Sequence, residues 1–372
     1  MKKLIVAVRI IVGVLFIFSG LIKANDPHGL GYKMQEFFEV WSWHGLHDFT
    51  LFFSLIINVF EVVAGVAVII GWRMKLISWL LLLLIIFFTF LTGYALFSGK
   101  IKTCGCFGDC LPLTPAQSFS KDIFLLILIL FLFAFRKSIQ SALRPAAAIF
   151  ILLLVTVTTV AGQLYALKHL PFIDCLPYKE GNNITQEMET PAGAVADSFS
   201  ITFTYKKNGK QLAFDQAHFP ADFDSTYDYI DRKDKLVKKG NGLQASILDF
   251  SLVNMNGVDT TAAILGLDSL YIMVMAKDMN RLEEWRNDFE NIVSAAQQKQ
   301  IPIFIVTADA DNAVKLLRDV TILKCDATVI KTAARAVPTY FFMQQGTVIA
   351  KASYADSHRV LQQMRDGVRK KK

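Results

Sequence analysis

The sequence predicts a multi-domain protein: an α-helical bundle within a membrane, followed by an α/β domain outside it. Three observations carry this. Hydrophobic residues make up 53% of the 372-residue chain and its mean hydropathy is +0.40, too high for an ordinary soluble enzyme. The apolar residues gather into five runs, at residues 4–22, 49–71, 76–97, 119–135 and 145–167. After about His169 the chain turns polar, first alternating and then following a strand–helix rhythm.

Four of the runs meet the length of about 20 residues that a hydrocarbon core requires. The fourth is uninterrupted only over residues 123–135 and is expected to span by letting Lys121 and Asp122 reach the interface. The first follows Met1-Lys2-Lys3 as a signal peptide would. Its length, and the lack of a small-x-small cleavage site before Asn25, predict an anchor that stays attached. Lys2, Lys3 and Arg9, then Arg73 and Lys75, then Arg136, Lys137 and Arg144 mark one set of helix ends. By the positive-inside bias these ends are cytoplasmic, so a bacterial inner-membrane protein with its N-terminus inside and everything after Lys168 periplasmic is expected. All five cysteines and all six histidines then lie outside, in a compartment where disulfides persist. The net charge of +7 needs no nucleic-acid partner, since it reflects these loop charges and the tail Arg369-Lys370-Lys371-Lys372. The partner the composition does imply is the lipid bilayer.

Thr103-Cys104-Gly105-Cys106-Phe107-Gly108-Asp109-Cys110 places three cysteines in seven positions between two apolar runs. A Cys104–Cys106 disulfide closes a very short ring, which opposes good geometry, and removes little chain entropy, so an exchangeable role suits it better than a stabilising one. Cys110 is then the resolving thiol, with Gly105 and Gly108 giving the backbone freedom. Two alternatives stay open: a static bridge such as Cys106–Cys110, and a tetrahedral metal site of three thiolates with His28, His44 or His47. Glu61, near the middle of the second run and one turn from Asn58, must be neutral, paired (with Arg9 as a candidate) or facing a polar cavity. It reads either as a proton-handling group beside a quinone or as a polar clamp between helices. The 30 phenylalanines could line a quinone pocket or simply pack against lipid and core. Trp41 and Trp43 with His44 and His47 read as an interfacial segment.

Four regions are expected: residues 1–140 as a four-helix transmembrane domain, 141–168 as a fifth transmembrane helix, 169–242 as a β-rich linker module, and 243–368 as the α/β domain. In the linker, residues 199–205 and 211–214 read as strands joined by an Asn208-Gly209 hairpin turn. In the last region, residues 270–275 and 303–306 are buried-strand patterns around a helix at 281–299. A short helix at 312–320 and the segment 328–335 follow, then Val337-Pro338-Thr339, strands 340–343 and 348–350 about a Gln345-Gly346 turn, and a closing helix to about Arg365.

That order, with Val337-Pro338-Thr339 before a hairpin, resembles the thioredoxin fold, which implies a cis-proline beside the active-site edge. Asp249-Phe250-Ser251-Leu252 and Asn256-Gly257 resemble the extra hairpin of the TlpA and peroxiredoxin branch. Where thioredoxins carry Cys-x-x-Cys, this chain reads Ala276-Lys277-Asp278-Met279-Asn280-Arg281, so no dithiol chemistry is expected there. Cys325 is either a lone thiol near that edge or a small core residue. Residues 1–140, through Gly13, Phe16, Ser19-Gly20-Leu21-Ile22-Lys23, Glu61, Gly65, Gly71 and above all Cys104-Gly105-Cys106-Phe107-Gly108, resemble the DoxX/MauE family of four-helix membrane proteins. The arrangement is also similar to DsbB and vitamin K epoxide reductase. The resemblance implies disulfide or quinone-linked redox chemistry, with Cys104, Cys106, Cys110 and Glu61 as site residues, quinone as the cofactor and a periplasmic thiol/disulfide protein as a partner. A non-enzymatic envelope factor with structural cysteines is the alternative.

Overall fold

The computed structural model describes residues 1–101, 103, 105–195, 198–215, 218–220, 223–238 and 240–366. The chain forms two compact units, Met1–Asn182 with Ser251–Lys372, and Asn183–Phe250.

In the first unit, five helices among the described residues are long and apolar enough to cross a membrane. They are α1 (Lys2–Asn25), α3 (Thr50–Ile70), α4 (Met74–Ser98), α5 (Pro115–Ala134) and α6 (Pro145–Lys168). Local signals fix their ends. Asp26 accepts from the Gly29 amide (3.1 Å) and Pro27 opens an unexpected helix α2 (Pro27–Val40), just before the expected interfacial segment at residues 41–47. Gly71 and Gly99 close α3 and α4 in the left-handed conformation. Thr114 and Gln117 form a capping box before α5.

Helices α1 and α3 approach unusually closely. A Cβ on Gly13 would lie 2.7 Å from the Gly65 carbonyl oxygen, and one on Gly65 would lie 2.7 Å from that of Gly13. Small residues that let backbones touch are a recurrent device in membranes. Around this contact Val12, Phe16, Ala64, Val68, Leu81, Ile85, Ile129 and Leu152 form the bundle core.

The α/β part of the same unit has a five-stranded sheet in the order β6-β5-β4-β7-β8. Its strands are β4 (Tyr271–Met275), β5 (Ile303–Thr307), β6 (Thr321–Lys324), β7 (Thr339–Gln344) and β8 (Thr347–Ser353). Strands β4, β5 and β6 are parallel, with β7 antiparallel to β4 and β8 to β7. Short helices α8 (Thr261–Leu265), α10 (Ala310–Leu316) and α11 (Ala327–Ala333) join α9 (Arg286–Gln298) and α12 (Ser357–Asp366). Ile272, Val274, Tyr340 and Phe342 pack with Phe289, Ile292, Val360 and Met364 in one core. The Val337–Pro338 peptide is cis, as the resemblance implies. Strand β6 had no counterpart in the sequence reading. Residues preceding the sheet are laced to it: the Gly181 amide donates to the Val348 carbonyl (2.8 Å) and Val348 donates to Asn182 (2.9 Å).

The second unit carries a one-turn helix α7 (Ile184–Glu187) and an antiparallel sheet β2-β1-β3. Strands β1 (Ser198–Lys207) and β2 (Lys210–Asp215) turn at Asn208-Gly209, both at positive φ, as the hairpin signal requires. Strand β3 (Asp228–Lys238) is additional to the expected pair.

Candidate functional site

The end of the bundle near Cys106 encloses a largely apolar pocket. Phe16, Ser19 and Lys23 of α1, Leu30, Lys33, Met34 and Phe37 of α2, and Ile57 and Glu61 of α3 line it. Ile85, Phe87, Phe88, Leu91 and Thr92 of α4, Lys121, Asp122 and Leu125 of α5, and Gly105, Cys106 and Phe107 complete it.

The close α1–α3 contact brings Lys23, two residues before the end of α1, against Glu61, and the two form an ion pair buried to 3% and 1% exposure. This corrects the expected Arg9 partner. Arg9 instead donates from Nε to the Val68 carbonyl (3.0 Å) and from Nη2 to that of Ile69 (2.6 Å), satisfying the end of α3. Oε2 of Glu61 is buried with no hydrogen-bond partner among the described residues. A second pair corrects another expectation. Asp122 does not reach the interface; it is fully buried, accepts from Thr92 Oγ1 at 2.9 Å and pairs with Lys121 at 2.5 Å. Lys121 lies within electrostatic reach of Cys106 and Glu61 as well. Asn58, one turn from Glu61, donates to the Gln163 side chain at 3.0 Å, tying α6 to α3.

Cys104 lies outside the described residues, and so does the expected Cys104–Cys106 pair. Cys106 is a free thiol at the pocket wall. Burial pushes it up from the ordinary thiol range, Asp122 adds to the rise, and Lys121, Lys23 and the Ser118 hydroxyl act the other way. Its backbone is held in a tight turn. The Gly108 amide donates to the Gly105 carbonyl (3.0 Å), with Gly105 at φ +65° and Gly108 at +56°, and Ser19 Oγ donates to the Cys106 carbonyl (3.1 Å). The Phe107 ring lies edge-on to Phe18 (5.6 Å) with the Lys121 ammonium 5.2 Å from its centroid.

Cys110 is not free to resolve a mixed disulfide at Cys106, nor bridged to it. It is bonded to Cys175, 65 residues on and just beyond α6. Among the described residues no group of three His, Cys, Asp or Glu side chains is placed to hold a metal ion. His28 stacks on Tyr32 (5.6 Å), and His44 meets His47 in a separate pair. Cys325 is buried in the α/β domain, pushed up to about 11 by burial.

A third charged cluster was invisible in the sequence. Arg335, three residues before Pro338 and 4% exposed, donates from Nε to Asp26 (2.7 Å), from Nη2 to Asp109 (2.6 Å) and from Nη1 to the Lys331 carbonyl (2.7 Å). Its guanidinium lies 5.4 Å from the Tyr32 ring centroid. Nearby, Lys351 of β8 pairs with Asp174 (2.9 Å), the neighbour of Cys175.

Fold and site together define a membrane protein of five spanning helices, bearing a half-buried thiol, two buried ion pairs and an adjacent disulfide, with an α/β domain of thioredoxin-like topology that lacks a Cys-x-x-Cys dithiol. Residues 1–135 match the family model described as methylamine utilisation protein MauE, so the resemblance seen in Cys104-Gly105-Cys106-Phe107-Gly108 extends over the first four spans. Residues 199–239 match a domain of unknown function, which corresponds to the β2-β1-β3 sheet. Protein TlpB of Flavobacterium psychrophilum is 28% identical over 129 residues, 34% of this chain and 35% of that protein. The match thus spans about a third of its length. No solved structure matches the chain.

Proposed function

We propose that this chain is a bacterial inner-membrane thiol–disulfide redox protein, with the N-terminus cytoplasmic and the α/β domain periplasmic, and that the pocket at Cys106 takes a quinone. One observation carries the reading. A free thiol shares an aromatic, apolar pocket with Glu61, a buried carboxylate whose Oε2 has no partner among the described residues. Buried polar atoms are almost always satisfied, so an unsatisfied one facing a pocket points to a ligand or a proton taken up there.

The residues fit a quinone. Phe16, Phe37, Phe87, Phe88 and Phe107 suit a flat ring and an isoprenoid chain, and Lys23 and Lys121 are the donors that would hold its oxygens. A quinone bound there would accept the two electrons and two protons released when Cys104 and Cys106 close a disulfide. Glu61 and Asp122, each already paired with a lysine, would pass those protons along. The disulfide then exchanges with the dithiol of a periplasmic protein, which leaves oxidised while Cys104 and Cys106 return to thiols.

The Cys110–Cys175 bond supports a structural role for those two cysteines, as the non-enzymatic reading has it. The test uses the full chain in liposomes containing ubiquinone or menaquinone, with dithiothreitol as the dithiol and quinone absorbance as the readout. Quinone reduction should be lost in Cys104→Ser and Cys106→Ser and slowed at least tenfold in Glu61→Gln. Reduction at the parent rate by Cys106→Ser, or none by the parent protein, would leave the structural reading.

A further inference from the structure

The α/β domain keeps the topology of a thioredoxin but no dithiol, which leaves open what it does. The edge that precedes its cis-proline holds Arg335, and the acids on that guanidinium belong to the membrane domain. Asp26 caps α2, and Asp109 sits between Gly108 and Cys110 on the loop that carries Cys106. An arginine fork with two carboxylates is directional, so it fixes the position of the loop as well as holding it. Asp109 itself is 42% exposed, yet its partner is 4% exposed. The loop is therefore gripped at one end by a buried cation while its other end turns Cys106 inward past Gly105.

We propose that the thioredoxin-like domain, which lacks a Cys-x-x-Cys dithiol, is a clamp on the membrane domain's own thiol loop, with Arg335 as the positioning residue that keeps Cys106 turned into the pocket. The edge where a thioredoxin would receive a partner's peptide is used here for an internal one, the segment at Asp109. Releasing Asp109 frees the Gly105–Gly108 turn, and Cys106 becomes open to thiols and electrophiles from the aqueous side. This rests on Cys106 being the working thiol, but its test does not, because it reads accessibility and not turnover.

The experiment measures N-ethylmaleimide alkylation of the full chain in membranes, in a Cys104→Ser background where the free thiols are Cys106 and Cys325. Arg335→Met should speed modification of Cys106 at least tenfold while Cys325, inside the α/β core, keeps its parent rate. Arg335→Lys, which restores the charge but not the fork, should fall between. Asp109→Asn with Asp26→Asn should reproduce Arg335→Met from the opposite partner. Unchanged Cys106 rates in both sets would overturn the proposal. So would parallel increases at Cys106 and Cys325, which would mark Arg335 as merely structural.

Discussion

The membrane bundle and the thioredoxin-like domain each hold a free thiol, and the contrast between half-buried Cys106 and buried Cys325 separates burial from reactivity. Burial raises both. Cys106 has Lys121 and Lys23 opposing that rise, a pocket in front of it and glycines at positive φ on either side of its turn. Cys325 has only backbone hydrogen bonds at Ser251 and Asp326 to oppose the rise, the Asp326 charge to reinforce it, and no cation among the groups acting on it. A thiol becomes a candidate for chemistry through the cations and space around it, not through its depth. The same contrast holds between the domains. One keeps the thioredoxin topology without the Cys-x-x-Cys pair, and the other carries its thiol on a helical scaffold.

The sharpest way to break this contrast is to remove the bundle's buried charges one at a time. Glu61→Ala should cost about 3–5 kcal/mol, because Lys23 is left charged and unpaired in the bundle interior. Lys23→Met combined with Glu61→Leu should recover most of that loss. Thermal unfolding in detergent would separate these outcomes, and equal destabilisation by the double variant would refute the pairing argument. Next in size is a pH effect. Burial holds His28 down at about 4, with Asp26 opposing and Arg335 reinforcing, and Tyr32 stacked against it. The unfolded chain protonates His28 near pH 6.5 while the folded one resists. Stability should therefore be whole above pH 6.5 and fall by about 3 kcal/mol towards pH 4. His28→Gln should flatten that part of the profile.

Two smaller effects sharpen the comparison. Gly105→Ala should cost about 1–2 kcal/mol, since it combines a positive φ with a Cβ that would lie 2.9 Å from Lys33 Cγ. Gly99→Ala, at similar φ but with open space around it, should cost less. With Cys104 replaced by serine, Cys106 alkylation should climb steeply between pH 7 and 9 as thiolate forms, while Cys325 stays slow throughout. Comparable rates at the two sites would erase the contrast. Smallest of all, Arg281→Met, which removes the exposed pair with Glu284, should leave the melting temperature unmoved.

Much of the fold was legible because it is local. The five apolar runs, the Asn208-Gly209 hairpin, the Val337-Pro338-Thr339 element and the buried strands depend on spacing within short windows. Strand β6, only four residues long with its two middle residues buried, gave no such window. The site was harder to read. Lys23 ends an apolar run and looks like a residue that reaches for the interface. Only the mutual contact of Gly13 and Gly65 reveals that α1 and α3 come close enough to bury it. Cys110 and Cys175, or Arg335 and Asp109, are joined by tertiary structure alone, and nothing within either segment announces its partner. The small residues on α1 and α3 were the one available clue, visible as glycines but without a stated partner.

The Cys110–Cys175 bond spans the whole α5–α6 hairpin, whose connection carries Arg136, Lys137 and Arg144. A trypsin cut after Arg136 or Lys137 divides the polypeptide without parting its pieces, whereas Arg144 precedes Pro145 and resists cleavage. The nicked protein should migrate at full length on a non-reducing gel and separate into two fragments once reductant is added. The same cut, made on sealed vesicles of known sidedness, reports which face of the membrane that connection occupies.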